Sequence, residues 1–159
     1  MLHIDIVCIG KIREKYLKDA IDEYKKRLSK YCILNIIELP DEKLPSKLND
    51  SISFEIKQKE SNLILSHIKK DSYVIALDLK GKNYTSVEFS NKIQDLSLIT
   101  SHITFLIGGT LGMTEGLLSN TKELICFSKM TFPHTLIRLF LLEQLFRGFK
   151  IMNGENYHH

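Results

Sequence analysis

Apolar, β-branched stretches and amphipathic helical stretches take turns along this chain from one end to the other, and that alternation narrows the possible folds more than any other feature. His3 to Ile9 (HIDIVCI), Ile33 to Leu39 (ILNIIEL), Tyr73 to Leu79 (YVIALDL), His102 to Ile107 (HITFLI) and Glu123 to Phe127 read as strands. Glu14 to Leu28 sets Leu17, Ile21, Tyr24 and Leu28 at helical spacing, and Ser51 to Ile68 repeats the period. Thr85 and Glu88 have capping-box spacing ahead of a helix toward Leu98. Thr114 caps a short helix to Asn120, and Pro133 opens a long one to Ile151. Pro40 to Asp50 carries two prolines and five charges and reads as a loop. Strands this apolar need cover on both faces. The expectation is one α/β domain over residues 1–159, a mostly parallel sheet with helices on both faces.

At 159 residues and 43% hydrophobic, the chain can bury a core without disulfides or a structural metal. Cys8, Cys32 and Cys126 form no CxxC pair, which argues against a zinc ribbon or a thioredoxin site and favours a reducing cytoplasm. No apolar run reaches about 18 residues, and the opening MLHID lacks the pattern of a secretory signal, so no membrane association is expected. The net charge of +3 permits a nucleic-acid partner without requiring one. From Lys11 to Lys30, eight basic residues stand against four acidic ones, as either a solvated helix face or a binding face.

The glycines separate the kinds of α/β protein. The first strand ends in a lone Gly10, so the GxGxxG dinucleotide fingerprint is missing, and no GxxxxGK[ST] phosphate loop occurs. Glycines gather instead after the fourth strand, in Ile107-Gly108-Gly109-Thr110-Leu111-Gly112. Such a pair lets backbone approach a ligand closely, and it equally serves a tight turn. Phe127-Ser128-Lys129-Met130-Thr131-Phe132-Pro133-His134 follows the fifth strand and enters the last helix. At that helix start the dipole disfavours an imidazolium, so His134 is expected neutral, as a proton acceptor must be; a purely structural histidine fits too. The helix is apolar around nearly all its circumference except Glu143, Arg147 and Lys150, which implies cover from the sheet and from a second subunit. Glu143 and Arg147 have the spacing of an ordinary ion pair. Beyond them lies a short polar tail with Tyr157 and His158.

Together, IGGTLG, FSKMTFPH, the apolar helix with Arg138 and Glu143, and the closing Tyr157-His158 resemble the SPOUT-class ribosomal RNA large subunit methyltransferase H family. The opening strand with IGK, the ELPDEK segment and ALDLKGK match it as well, so the resemblance spans essentially the whole chain. It implies a C-terminal segment threaded into a trefoil knot, which periodicity does not reveal. It implies S-adenosylmethionine bound in that knot, with contacts on Leu77, Gly108, Gly109, Phe127, Ser128, Lys129, Met130, Thr131 and Phe132, and no metal. It also implies a homodimer that methylates N3 of a pseudouridine in a stem-loop of 23S rRNA on assembled ribosomes. On that reading His134 is the first candidate proton acceptor, and Tyr157 and His158 fold over the site when RNA binds. Arg138 and Glu143 orient the tail or neighbouring side chains, Glu143 as a support rather than a base. The Lys11–Lys30 stretch becomes a candidate RNA face. Two other readings stay open: a knotted methyltransferase acting on another RNA such as tRNA, and a non-catalytic nucleotide-binding module built on the Gly108-Gly109 turn.

Overall fold

A computed structural model describes residues 1–159. Its elements run β1 (Leu2–Ile9), α1 (Lys15–Leu28), β2 (Cys32–Leu39), α2 (Asp50–Ser66), β3 (Tyr73–Lys82), α3 (Ser86–Ser97), β4 (His102–Ile107), α4 (Glu115–Leu118), β5 (Glu123–Ile125) and α5 (His134–Met152). The strands form one sheet in the order β2-β1-β4-β3-β5, and every pairing is parallel.

Side-chain alternation along the strands sorts the core into two layers. Ile4, Ile6 and Cys8 of β1 join Ile103, Phe105 and Ile107 of β4 beneath α1, α3 and α5. Val7, Ile9 and Leu106 point the other way, toward Ile64 of α2 and Leu117 and Leu118 of α4. Helices therefore cover both faces, as expected. Asp5 is the polar exception in β1; it is fully buried and answered by His102 Nε2 at 2.9 Å and Asn35 Nδ2 at 3.1 Å. The Thr85 capping box forms in full, with the Glu88 N–H donating to Thr85 Oγ1 at 3.1 Å and the Thr85 N–H donating to Glu88 at 2.9 Å.

The differences from the sequence expectation lie at the carboxyl edge. β3 runs past Leu79 to Lys82, and β5 stops at Ile125 rather than Phe127. β3 is irregular there: Leu77 and Lys82 both pair with Ile125, so the intervening residues loop around it. Gly81 sits in that loop, where an added Cβ would lie 2.5 Å from the Ile125 carbonyl carbon. The close approach lets the Cys126 N–H reach the Lys82 carbonyl at 3.0 Å and the Asn83 amide reach the Cys126 carbonyl at 2.7 Å. Pro133 is the N-cap of α5 rather than its first residue, so His134 opens the helix.

Gly81→Ala should accordingly lower the urea midpoint by an amount equivalent to about 1–3 kcal/mol, the usual range for overpacking. An unchanged midpoint would mean that the β3–β5 contact is not tight.

Candidate functional site

Three connections meet at the carboxyl ends of the strands, beside the point where the strand order reverses, which is where open α/β sheets bind ligands. They enclose a cavity of about 790 Å³, lined by residues 77–80, 107–113, 125–128 and 130–134 together with Ile137. Leu77, Gly108, Gly109, Phe127, Ser128, Met130, Thr131 and Phe132 all face it. Lys129 is the one residue expected at the cofactor that is not in the lining; it is exposed.

Both glycines of the turn are there for lack of room. A Cβ on Gly108 would lie 2.9 Å from Met113 Cγ, and one on Gly109 would lie 2.8 Å from Glu60 Oε1 and 3.1 Å from Ile9 Cγ2. Glu60, only 5% exposed, projects from α2 beneath the turn and accepts the Glu42 N–H at 3.0 Å. Burial pushes its carboxyl above the usual carboxylate range, against the pull of that hydrogen bond. Nothing in the sequence pattern singled out Glu60, because a lone glutamate on an amphipathic helix looks like any solvated residue.

His134 is half-buried at the start of α5. Burial, and secondarily the Arg138 charge, lower its pKa from the ordinary 6.5, while Asp41 acts in the opposite direction. The ring is therefore neutral at pH 7. Nδ1 is buried without a hydrogen-bond partner. The ring packs against Gly10, where an added Cβ would come within 3.1 Å of Cε1, and Gly10 holds a φ of +92°, a conformation that glycine adopts without strain. Gly10 thus backs the His134 ring from outside the cavity lining, and the sequence signal for it was the same lone glycine that argued against a dinucleotide fold.

The remaining expected residues fall into two separate groups. Arg138, 1% exposed, donates from Nη1 to Glu38 Oε2 at 2.6 Å and from Nη2 to the Gly10 carbonyl at 3.0 Å. It serves the His134 neighbourhood and does not touch the tail. Glu143 holds the tail instead. Its Oε2 accepts from Tyr157 at 2.8 Å and from Tyr24 at 3.1 Å, and its Oε1 accepts from Arg147 Nε at 2.6 Å. The Tyr157 ring stands edge-on to Phe146 at 5.0 Å, with the Arg147 guanidinium 4.8 Å from its centre. His158 Nδ1 lies 3.3 Å from Arg147, and Glu155 pairs with Lys150 at 2.6 Å. Glu143 and His134 are nine residues apart on α5, about 13 Å along its axis. The tail therefore rests on the α1–α5 seam and is not drawn over His134. A smaller hollow of about 370 Å³ opens between the start of α3 and α5, bordered by Thr85, Phe132, Phe140 and Glu143.

All three cysteines are free and buried. Burial pushes the Cys8 and Cys32 thiols up to about 12, which makes them inert. No cluster of three or more His, Cys, Asp or Glu side chains gathers as a metal site.

The profile of the family described as "Predicted SPOUT methyltransferase" matches residues 2–158. The chain is 54% identical to a Clostridium tetani protein named ribosomal RNA large subunit methyltransferase H and 57% identical to one of that name from Clostridium botulinum strain Kyoto. Each alignment covers 99% of both chains. Among solved structures, a Legionella pneumophila protein assigned as a methyltransferase and determined with the cofactor SAM bound has a similar fold, with a TM-score of 0.51 at 11% identity. The alignment with it covers 91% of this chain and 65% of that one.

Glu143→Ala should release the tail, so that amide exchange at residues 155–158 accelerates at least about tenfold while the β1 and β4 amides keep their protection. Unchanged exchange at the tail would show that Glu143 does not hold it.

Proposed function

Since the chain belongs to the SPOUT methyltransferase family, we propose that it is an S-adenosylmethionine-dependent enzyme of the large ribosomal subunit, methylating N3 of a pseudouridine in 23S rRNA on assembled ribosomes. The whole of residues 1–159 works as a single methyltransferase domain, with the knotted C-terminal segment characteristic of the family. The observation that carries this reading is the meeting of the Gly108-Gly109 turn, the Phe127–Phe132 run and His134 around one cavity, in a chain matched end to end by relatives of that name.

The cavity suits the cofactor. Its volume falls in the usual range for small-molecule sites, about 300–1,000 Å³, and Gly108 and Gly109 present only backbone to it. Gly108 and Gly109 would hold the cofactor from one side and Phe127 to Phe132 from the other. When bound, it supplies a methyl group activated on a sulfonium. The chain's own task is alignment and proton removal. A pyrimidine N3 carries a proton that must leave before its lone pair is free. His134 is neutral, and its Nε2 is neither sealed from solvent nor bonded within the protein, so it can take that proton while Nδ1 carries the ring's own. Glu143 keeps Tyr157 and His158 docked near the smaller hollow, from which they can close on bound RNA.

The enzyme acts as a homodimer in the cytoplasm. In support of the dimer, Leu136, Ile137, Leu139 and Phe140 of α5 stay only partly covered although α1 and α3 pack on the helix. No helix is long and apolar enough to cross a membrane, and the free thiols suit a reducing compartment.

Incubation of ribosomes, free 23S rRNA and tRNA with labelled S-adenosylmethionine should mark a pseudouridine N3 in ribosomes; label in tRNA alone, or in nothing, overturns the assignment. In the same assay His134→Ala should lower kcat by about 10²–10⁴-fold without weakening cofactor binding. Because the folded pKa of His134 is depressed, the ring stays a neutral acceptor as pH falls through 6.5. The acid limb of the wild-type kcat profile should therefore lie below that pH and vanish in the variant. Wild-type turnover by His134→Ala would end its role as acceptor.

A further inference from the structure

The connection from β1 to α1 touches the site but takes no part in the chemistry above. Its backbone is fixed at two points: the Gly10 carbonyl accepts from Arg138 at 3.0 Å, and the Ile12 N–H donates to Glu38 at 3.0 Å. Ile12 is buried beneath it. Those anchors decide where Lys11, Arg13 and Tyr16 emerge, and all three are exposed, Tyr16 at 69%. Neither Lys11 nor Arg13 has a carboxylate within 4.0 Å, whereas Lys15 is paired with Asp19, and Arg27 with Glu23. An aromatic ring so open to water gains nothing for the fold, and two cations without counter-charges are poor contributors to stability.

The connection that carries these three groups begins at Gly10, which packs on the His134 ring, and the three have a chemistry in common. Phosphates take up unpaired cations with release of counterions, and an exposed ring offers a nucleobase a stacking face. Of the rest of the basic stretch, Lys18 lies within a turn of Tyr16, while Lys25, Lys26 and Lys30 lie at or just past the far end of α1, about 15–20 Å further along the helix axis. The distal three are too far from Tyr16 to share a nucleotide with it.

We propose that Lys11, Arg13 and Tyr16 form the platform on which substrate RNA docks, two phosphates on the cations and one base on the tyrosine ring, and that the distal lysines stand outside it. The proposal rests on the RNA-methyltransferase reading, and one set of measurements keeps the two apart. Ribosome binding is measured by filter retention over a range of salt concentrations, and methylation is measured separately on the same samples. Lys11→Ala with Arg13→Ala should weaken ribosome binding by about tenfold or more at moderate salt and flatten the dependence on log salt by about 1.5–2, as the loss of two phosphate contacts requires. Tyr16→Ala should cost about fivefold or more, and Tyr16→Phe should restore binding because stacking needs only the ring. Lys25→Ala with Lys26→Ala should change binding less than twofold. S-adenosylmethionine affinity should be unaltered in every variant, which also shows that each one folds. Equal losses from the proximal and distal pairs, no loss from either, or no ribosome binding by the wild-type chain overturns the platform. A wild-type chain that binds ribosomes without methylating them defeats the enzymatic assignment, and the proximal–distal comparison still decides the platform.

Discussion

The guanidinium of Arg138, almost wholly withdrawn from water, ties together three stretches of chain that sequence keeps far apart: the first turns of α5, the end of β1 at Gly10, and the end of β2 at Glu38. Much of the carboxyl edge depends on that tie. It fixes the ring of His134 against Gly10, sets the exit of the β1–α1 connection, and through its charge helps keep the imidazole neutral. Stripping one partner from a buried pair costs about 3–5 kcal/mol. The cost here is lower, because the Glu38 carboxylate is 35% exposed and partly screened by water.

Polar satisfaction differs between the two edges of the sheet. At the amino edge, Asp5 is buried among His102, Asn35 and Lys69, and its oxygens are answered. Glu123 Oε2, at the start of β5, is buried but faces Lys92 Nζ at 2.9 Å, whereas at the carboxyl edge His134 Nδ1 and Arg138 Nε are buried with no partner. Unsatisfied buried groups are rare and concentrate where a protein does work. The contrast marks one edge as structural and the other as functional, in agreement with the cavity between the Gly108-Gly109 turn and the Phe127–Phe132 run.

Much of this was legible in the sequence. The order of strands and helices, the cover on both faces and the Thr85 and Thr114 caps follow from periodicity and capping residues, while the cavity lining at Leu77, Gly108, Gly109 and Phe127 to Phe132 came from the family resemblance. What escaped depends on contacts between distant segments. The close approach at Gly81 extends β3 and shortens β5, and no local pattern announces it. Arg138 stands near Glu143 in sequence, but five residues of helix turn it through about 140°, away from the tail and into the core. Glu60 and Tyr24 look like ordinary helix positions until the fold sets one under Gly109 and the other against Glu143.

The account stands on the cavity at the carboxyl edge being the seat of S-adenosylmethionine, and calorimetric titration of the wild-type chain beside Gly109→Val tests this most directly. The valine would drive its Cβ into Glu60 and Ile9 beneath the turn and push the backbone that lines the cavity out of place, so saturable binding should appear in the wild type and disappear in the variant while its thermal unfolding stays cooperative. No heat of binding in the wild type, or equal affinity in a folded Gly109→Val, would contradict it.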